Sequence, residues 1–135
     1  MELIAHLLLT GAVFGFSLFL LIGAIIPDTL FLVAYLLKKN KKLHVLGEYM
    51  HSVFITPALL LIALLIKNQH VMMLGFGYGS HILTDMFVHK QDGSRYLYPL
   101  IKRKINSGPF YWKSKGFFIA TYIILTVALI MRYRK

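Results

Sequence analysis

Long apolar runs separated by short polar turns dominate the chain. They occupy residues of about 3–26, 50–66, 71–88 and 116–131. The first run resumes after a short interruption and continues to residue 37. Because about 20 apolar residues suffice for a helix to cross a bilayer, we expect an all-α fold, a polytopic membrane helical bundle with about four membrane segments. We expect residues 1–135 to form a single membrane domain.

Pro27 and Asp28 interrupt the first apolar run. Proline lacks a backbone donor and tends to end or kink the helix that precedes it. The run from residue 3 to residue 37 is also too long for one straight span, so we expect a break at residues 27–28. Asp28 then has two interpretations. It is either the N-cap of the following helix, which the local sequence favours, or a ligand aimed from the break.

Composition supports a location in a membrane. The chain is 58% hydrophobic and 15% charged, with a formal net charge of +10. The basic residues are clustered in residues 38–42, 102–104 and 132–135. Such clusters are typical of cytoplasmic loops that face anionic lipid headgroups, and we expect no nucleic-acid partner. Residues 89–115 interleave aromatic with basic side chains, which predicts a basic interfacial loop.

The third apolar run carries ionisable side chains. His81, Asp85 and His89 are four residues apart, so at about 100° per residue they form one stripe on a helix. An ionisable group at membrane depth costs roughly 2.5 kcal/mol or more, so such groups usually face a protein interior. Imidazole and carboxylate are metal ligands, and the absence of cysteine leaves only His, Asp and Glu for that role. The alternative is a buried His–Asp hydrogen bond without metal.

A second polar face precedes the run at residues 50–66. His44, Glu48 and His51 are spaced by four and three residues, which places them on one helical face. The Glu-x-x-His portion resembles the element with which helical bundles hold metals. The alternative is an exposed polar first turn of a helix.

These groups are expected to converge at the cytoplasmic ends of their segments. With the basic loops on that side, Asp28, Glu48, His51, His81 and Asp85 approach the same face, which favours a metal site over separate hydrogen bonds. His6 does not fit a straight helix, which would place it about 33 Å from Asp28. It joins the site only if the first segment bends.

The same residues resemble a known family, the small inner-membrane proteins described as membrane-bound metal-dependent hydrolases, some of them LexA-regulated. The resemblance lies in five motifs in this order: His6-Leu7-Leu8, Pro27-Asp28-Thr29-Leu30, Met50-His51-Ser52, GYGSHILTDM at residues 77–86, and Tyr98-Pro99. Only the fourth motif is specific, and together they extend to about residue 99. The chain departs from the family where Leu30 replaces a second aspartate. It also lacks the His-Arg-Gly element, for which Glu48 or His44 would substitute.

The family is similar in ligand order to zinc-dependent phospholipase C and related nucleases. This resemblance implies metal-assisted hydrolysis of a phosphoester, and it implies that the early histidine, His6, is a ligand. From the residues and the resemblance together we expect a multi-pass inner-membrane enzyme, a hydrolase with a divalent metal, zinc being the expected ion. The expected ligands are His6, Asp28, His51, His81 and Asp85.

Glu48 is the expected general base or an extra ligand. The expected substrate is a phosphoester or lipid-derived molecule, and the expected partners are membrane lipids with anionic headgroups. The alternative is a non-catalytic membrane protein with a structural metal site or an ion-handling role. A third interpretation is an assembly or stress-response factor that binds no metal.

Overall fold

The computed structural model describes residues 3–37, 41–91, 93–106, 108–110 and 114–134. Six helices lie in these ranges: α1 Leu3–Phe14, α2 Leu18–Leu36, α3 Lys41–Met50, α4 Ile55–Leu65, α5 Gln69–Val88 and α6 Lys115–Tyr133. The described residues contain no strand, and Ser94 and Ile105 form an isolated antiparallel bridge. The prediction of an all-helical fold is therefore confirmed. Residues 38–40 of the first basic cluster lie outside the described ranges.

The first apolar run breaks at residues 15–17, between α1 and α2. Gly15 has a φ of +91°, a conformation that glycine adopts without steric cost. Pro27 instead lies inside α2 and is fully buried there. The predicted break at residues 27–28 is thus wrong, and so is the N-cap interpretation of Asp28. Packing on a neighbouring helix sustains α2 through the proline, as is tolerated in apolar helices.

Helix α2 packs along α5 in a parallel sense, turn against turn. Leu20 lies over Gly77, and Ala24 lies over His81 one turn later. A Cβ on Gly77 would overlap the carbonyl of Leu20, and a Cβ on Gly23 would overlap the carbonyl of Leu74. The two glycines therefore permit the backbones to approach each other, and this approach sets the register of α2 on α5.

Helix α1 runs along α5 in the opposite sense. His6 contacts Asp85, whereas Thr10, one turn later in α1, shares a hydrogen bond of 2.8 Å with Ser80, earlier in α5. The turn at residues 15–17 thus makes α1 and α2 an antiparallel helical hairpin. This hairpin returns His6 to the level of Asp28, which the straight-helix estimate did not allow.

A second part of the core lies where α5 and the segment that follows it pack against the junction of α3 and α4. Tyr78, Ile82 and Tyr96 form its buried centre. The Tyr78 hydroxyl donates to the carbonyl of Met50, and the Val53 amide donates to the carbonyl of Tyr96 at 2.9 Å. These contacts draw the segment after α5 back across the ends of α3 and α5. Tyr96, expected in an interfacial loop, is instead a core residue.

Helix α6 is the one described helix that is long and apolar enough to cross a membrane by itself. Helices α3 and α4 meet that standard only as a pair, and they are bent by 63° at their junction. A bundle of four membrane spans is therefore not confirmed. The guanidinium of Arg132 donates to the carbonyls of Ala12 and Val13, each at 2.8 Å, and ties α6 to the end of α1.

Candidate metal centre

Four ligand side chains from three parts of the fold meet at one point. Asp28 comes from the middle of α2, His51 from the junction of α3 and α4, and His81 and Asp85 from successive turns of α5. One ligand atom of each lies within 4.8 Å of all the others. His51, His81 and Asp85 are buried, whereas the Asp28 side chain is 29% exposed. The group can hold a metal ion, and Asp28 is its most accessible member.

The spacing of the ligand atoms suits a single ion. The His51 Nε2 atom lies 3.4 Å from Oδ1 of Asp28 and 3.4 Å from Oδ2 of Asp85. The corresponding distances from Nε2 of His81 are 3.7 Å and 3.3 Å. A tetrahedral zinc ion with bonds of about 2.1 Å separates its ligand atoms by about 3.4 Å. These four separations are close to that value, so the donor set can hold a metal ion of this size.

The two imidazoles are oriented by the backbone. Nδ1 of His51 lies 2.9 Å from the carbonyl of Gly47, and Nδ1 of His81 lies 2.7 Å from the carbonyl of Ala24. A carbonyl only accepts, so each Nδ1 carries a hydrogen, and each ring directs its Nε2 atom at the centre. Where Nε2 carries no hydrogen, its lone pair and the carboxylate oxygens repel one another at these distances. One cation among them relieves all four contacts at once, and this outer hydrogen bonding is typical of metal-bound histidine.

Asp85 has a second set of contacts, through its other oxygen. Its Oδ1 lies 3.0 Å from Nε2 of His6 and 3.3 Å from Nε2 of His89. The His6 ring stacks on the His81 ring, with centroids 3.8 Å apart. His6 is therefore placed beside the four-ligand group, where it orients Asp85 and His81. The expectation that His6 is itself a ligand stays a prediction.

Glu48 lies outside the four-ligand group. Its carboxylate lies 2.5 Å from Nζ of Lys104 and 3.0 Å from Nε of Arg95, and Nδ1 of His44 is 3.5 Å away. Helix α3 begins with two exposed lysines and is not long and apolar enough to cross a membrane by itself. Burial raises the pKa of Glu48, but the lysine and the arginine lower it further, so the net shift is downward. A carboxylate paired in this way is a weak proton acceptor, although its role as general base stays a prediction.

A cavity of about 740 Å³ opens onto the ligand group. Its lining includes three of the metal ligands, Asp28, His51 and Asp85. It also includes the ion pair of Glu48 and Lys104. Its remaining walls come from α2 and from the segment that follows α5. Asp28, His51 and Asp85 are therefore reachable by a molecule larger than water, whereas His81 is buried behind them and does not line the cavity.

Sequence reasoning missed the pairing of Glu48 with Lys104 and Arg95. The signal was available, since a carboxylate on the buried face of a short helix needs a cationic partner. The partners themselves lie far along the chain, in a segment expected to face lipid. Tyr98, from the same segment, stacks on Tyr49 with ring centroids 4.4 Å apart. The aromatic and basic residues at 111–113 lie outside the described ranges.

Fold and site together define an all-helical membrane protein with a buried His–Asp group that can hold a metal ion. No curated protein and no solved structure matches the chain. The chain belongs to the YdjM inner membrane protein family, whose sequence profile matches residues 3–135. The protein is accordingly placed in the inner membrane. The family description names a location and no activity.

Proposed function

We propose that the protein is a metal-dependent hydrolase of the inner membrane that acts on a phosphoester or a lipid-derived substrate. The observation that carries the proposal is the convergence of two imidazole nitrogens and two carboxylates beside an open cavity. A divalent cation held by these residues with one further position open to the cavity would acidify a water molecule and polarise the oxygen of a scissile phosphoryl or acyl group.

The protein side chains divide the remaining work. His51 and His81 are fixed by backbone carbonyls, so their nitrogens need no rearrangement to bind an ion. Asp28 forms the accessible side of the group, where a substrate oxygen would approach. Glu48 stands in the same cavity as the proposed general base, although its contacts favour a role in holding Lys104 and Arg95 beside the substrate.

Hydrolysis of a chromogenic phosphodiester by zinc-loaded protein in detergent tests this function. We expect Asp28→Asn to reduce turnover strongly with the fold retained, because it removes one ligand charge at the accessible side. His70→Ala is the matched control, since His70 is exposed and stacks on Phe19 away from the ligands. Equal turnover by the wild type and Asp28→Asn would contradict the proposal.

A structural metal site is the second candidate, and the burial of the ligands favours it. Four protein ligands close a tetrahedral shell and leave no place for water, as in structural zinc sites. In that case metal removal would lower the melting temperature sharply, and the loaded protein would hydrolyse none of a panel of phosphodiesters, phosphomonoesters and carboxylic esters. Turnover that depends on metal excludes this candidate.

A further inference from the structure

Two cavities meet on one face of α2. The polar cavity beside the ligand group and a second, apolar groove of about 290 Å³ share Asp28 and Phe31 as lining residues. The groove is completed by Ile25, Thr29 and Leu32. Ile25, Asp28 and Leu32 are spaced by three and four residues and so share a helical face. The cavity beside the ligand group therefore adjoins an apolar surface of the helix.

Phe31 lines both cavities where they adjoin. Its ring lies 5.1 Å from the His51 ring and 4.9 Å from the His44 ring, centroid to centroid. The ring also covers Gly47, where a Cβ would come within 2.8 Å of it. Leu32, by contrast, is 54% exposed on the groove side. In an inner-membrane protein such an exposed apolar groove is accessible to the hydrocarbon of the bilayer.

The polar cavity has the charge that an anionic group requires once a cation is bound. Lys104 lines the cavity and contacts Oε1 of Glu48, whereas Arg95 contacts Oε2 and is not among the lining residues. The two cations together outweigh the charge of Glu48, and a divalent ion would compensate Asp28 and Asp85. Arg95 is held by Glu48, by the carbonyl of Lys102 and by the Tyr49 ring. Lys104 lines the cavity and is half exposed, so it is the cation available to a ligand.

We propose that the two cavities form one site for an anionic membrane amphiphile, with its phosphate headgroup beside Lys104 and the metal ligands and its hydrocarbon chain in the groove beside Leu32. This inference rests on the proposed function, because the bound cation completes the charge of the headgroup pocket. It deepens that function by naming the substrate class as a phosphate-bearing lipid rather than a soluble phosphoester. The two subsites predict separable effects of chain length and headgroup charge.

The test is binding of monoalkyl phosphates with two to eight carbons, and of inorganic phosphate, to the zinc-loaded protein in nanodiscs by calorimetry. We expect affinity to rise with chain length, by up to about fourfold per methylene group that enters the groove. Leu32→Gln should weaken the binding of octyl phosphate roughly five- to tenfold and leave the affinity for inorganic phosphate unchanged. Leu36→Gln is the matched control, because Leu36 is equally apolar, 69% exposed and lines neither cavity.

Lys104→Ala should weaken the binding of octyl phosphate and of inorganic phosphate by the same factor. Lys102→Ala is the control, since it removes the same charge from the same segment, and it should leave both affinities unchanged. Affinity independent of chain length, or equal losses in the two leucine variants, would overturn the amphiphile site and indicate a soluble phosphate ligand. Metal content is measured on the same samples. Absence of metal overturns the proposed function together with this inference, whereas stoichiometric metal without chain-length dependence overturns this inference alone.

Discussion

Replacement of His6 by phenylalanine distinguishes two roles for His6: a direct metal ligand, or a residue that orients the ligands Asp85 and His81. The phenyl side chain would keep a ring stacked on His81 and would remove the nitrogen that lies 3.0 Å from Oδ1 of Asp85. Outer-shell partners of metal ligands typically change metal affinity about 10–100-fold. We expect His6→Phe to bind one metal ion per chain with affinity reduced within that range.

The assay is a zinc titration against a chromophoric chelator in detergent. Thr10→Val is the control, since Thr10 lies one turn away on α1 and its hydroxyl bonds to Ser80 rather than to Asp85. It tests whether looser docking of α1 alone weakens the site. Complete loss of stoichiometric metal in His6→Phe would show that His6 is a direct ligand, and unchanged affinity would refute the argument that His6 orients Asp85.

Three further substitutions test the fold. Gly77→Ala should lower the free energy of unfolding by at least about 1–3 kcal/mol, and with it the melting temperature, because the new Cβ would meet the backbone of α2. Gly116→Ala should change neither, because no atom lies within 4 Å of the added Cβ. Folding lowers the pKa of Glu48 from 4.5, so its carboxylate stabilises the protein above that pH, and this stabilisation is lost as the pH falls through the pKa of the folded state. Glu48→Gln should therefore make the melting temperature depend less steeply on pH in acid. Arg132→Gln should speed proteolysis near residues 15–17, whereas Arg134→Gln should not.

The helical stripe of the site could be predicted from the sequence. His81, Asp85 and His89 recur at a spacing that only one helical face satisfies; α5 carries His81 and Asp85, and His89 follows its last residue directly. His51 and Asp28 were expected in the same group, but Asp28 was expected at a break that the structure does not have. Local periodicity was sufficient for His81 and Asp85 because they lie one turn apart on one helix.

The path of the first segment could not be predicted in the same way. Proline at 27 is the stronger local signal for a break, but the chain reverses at Gly15, whose role depends on packing of α1 and α2 against α5. The partners of Glu48 were missed for a similar reason. Arg95 and Lys104 reach it through a long-range return of the chain, fixed by the contacts of Tyr96 with the core. Such contacts between distant residues have no periodic signature.

The central claim is that Asp28, His51, His81 and Asp85 bind one metal ion together. X-ray absorption spectroscopy of the zinc-loaded protein, with metal content determined on the same sample, tests it most directly. We predict about one zinc ion per chain, bound only by nitrogen and oxygen, with two imidazoles in the shell. No stoichiometric metal after reconstitution with zinc, manganese or iron, or a shell that is unchanged in His81→Ala, would contradict the account.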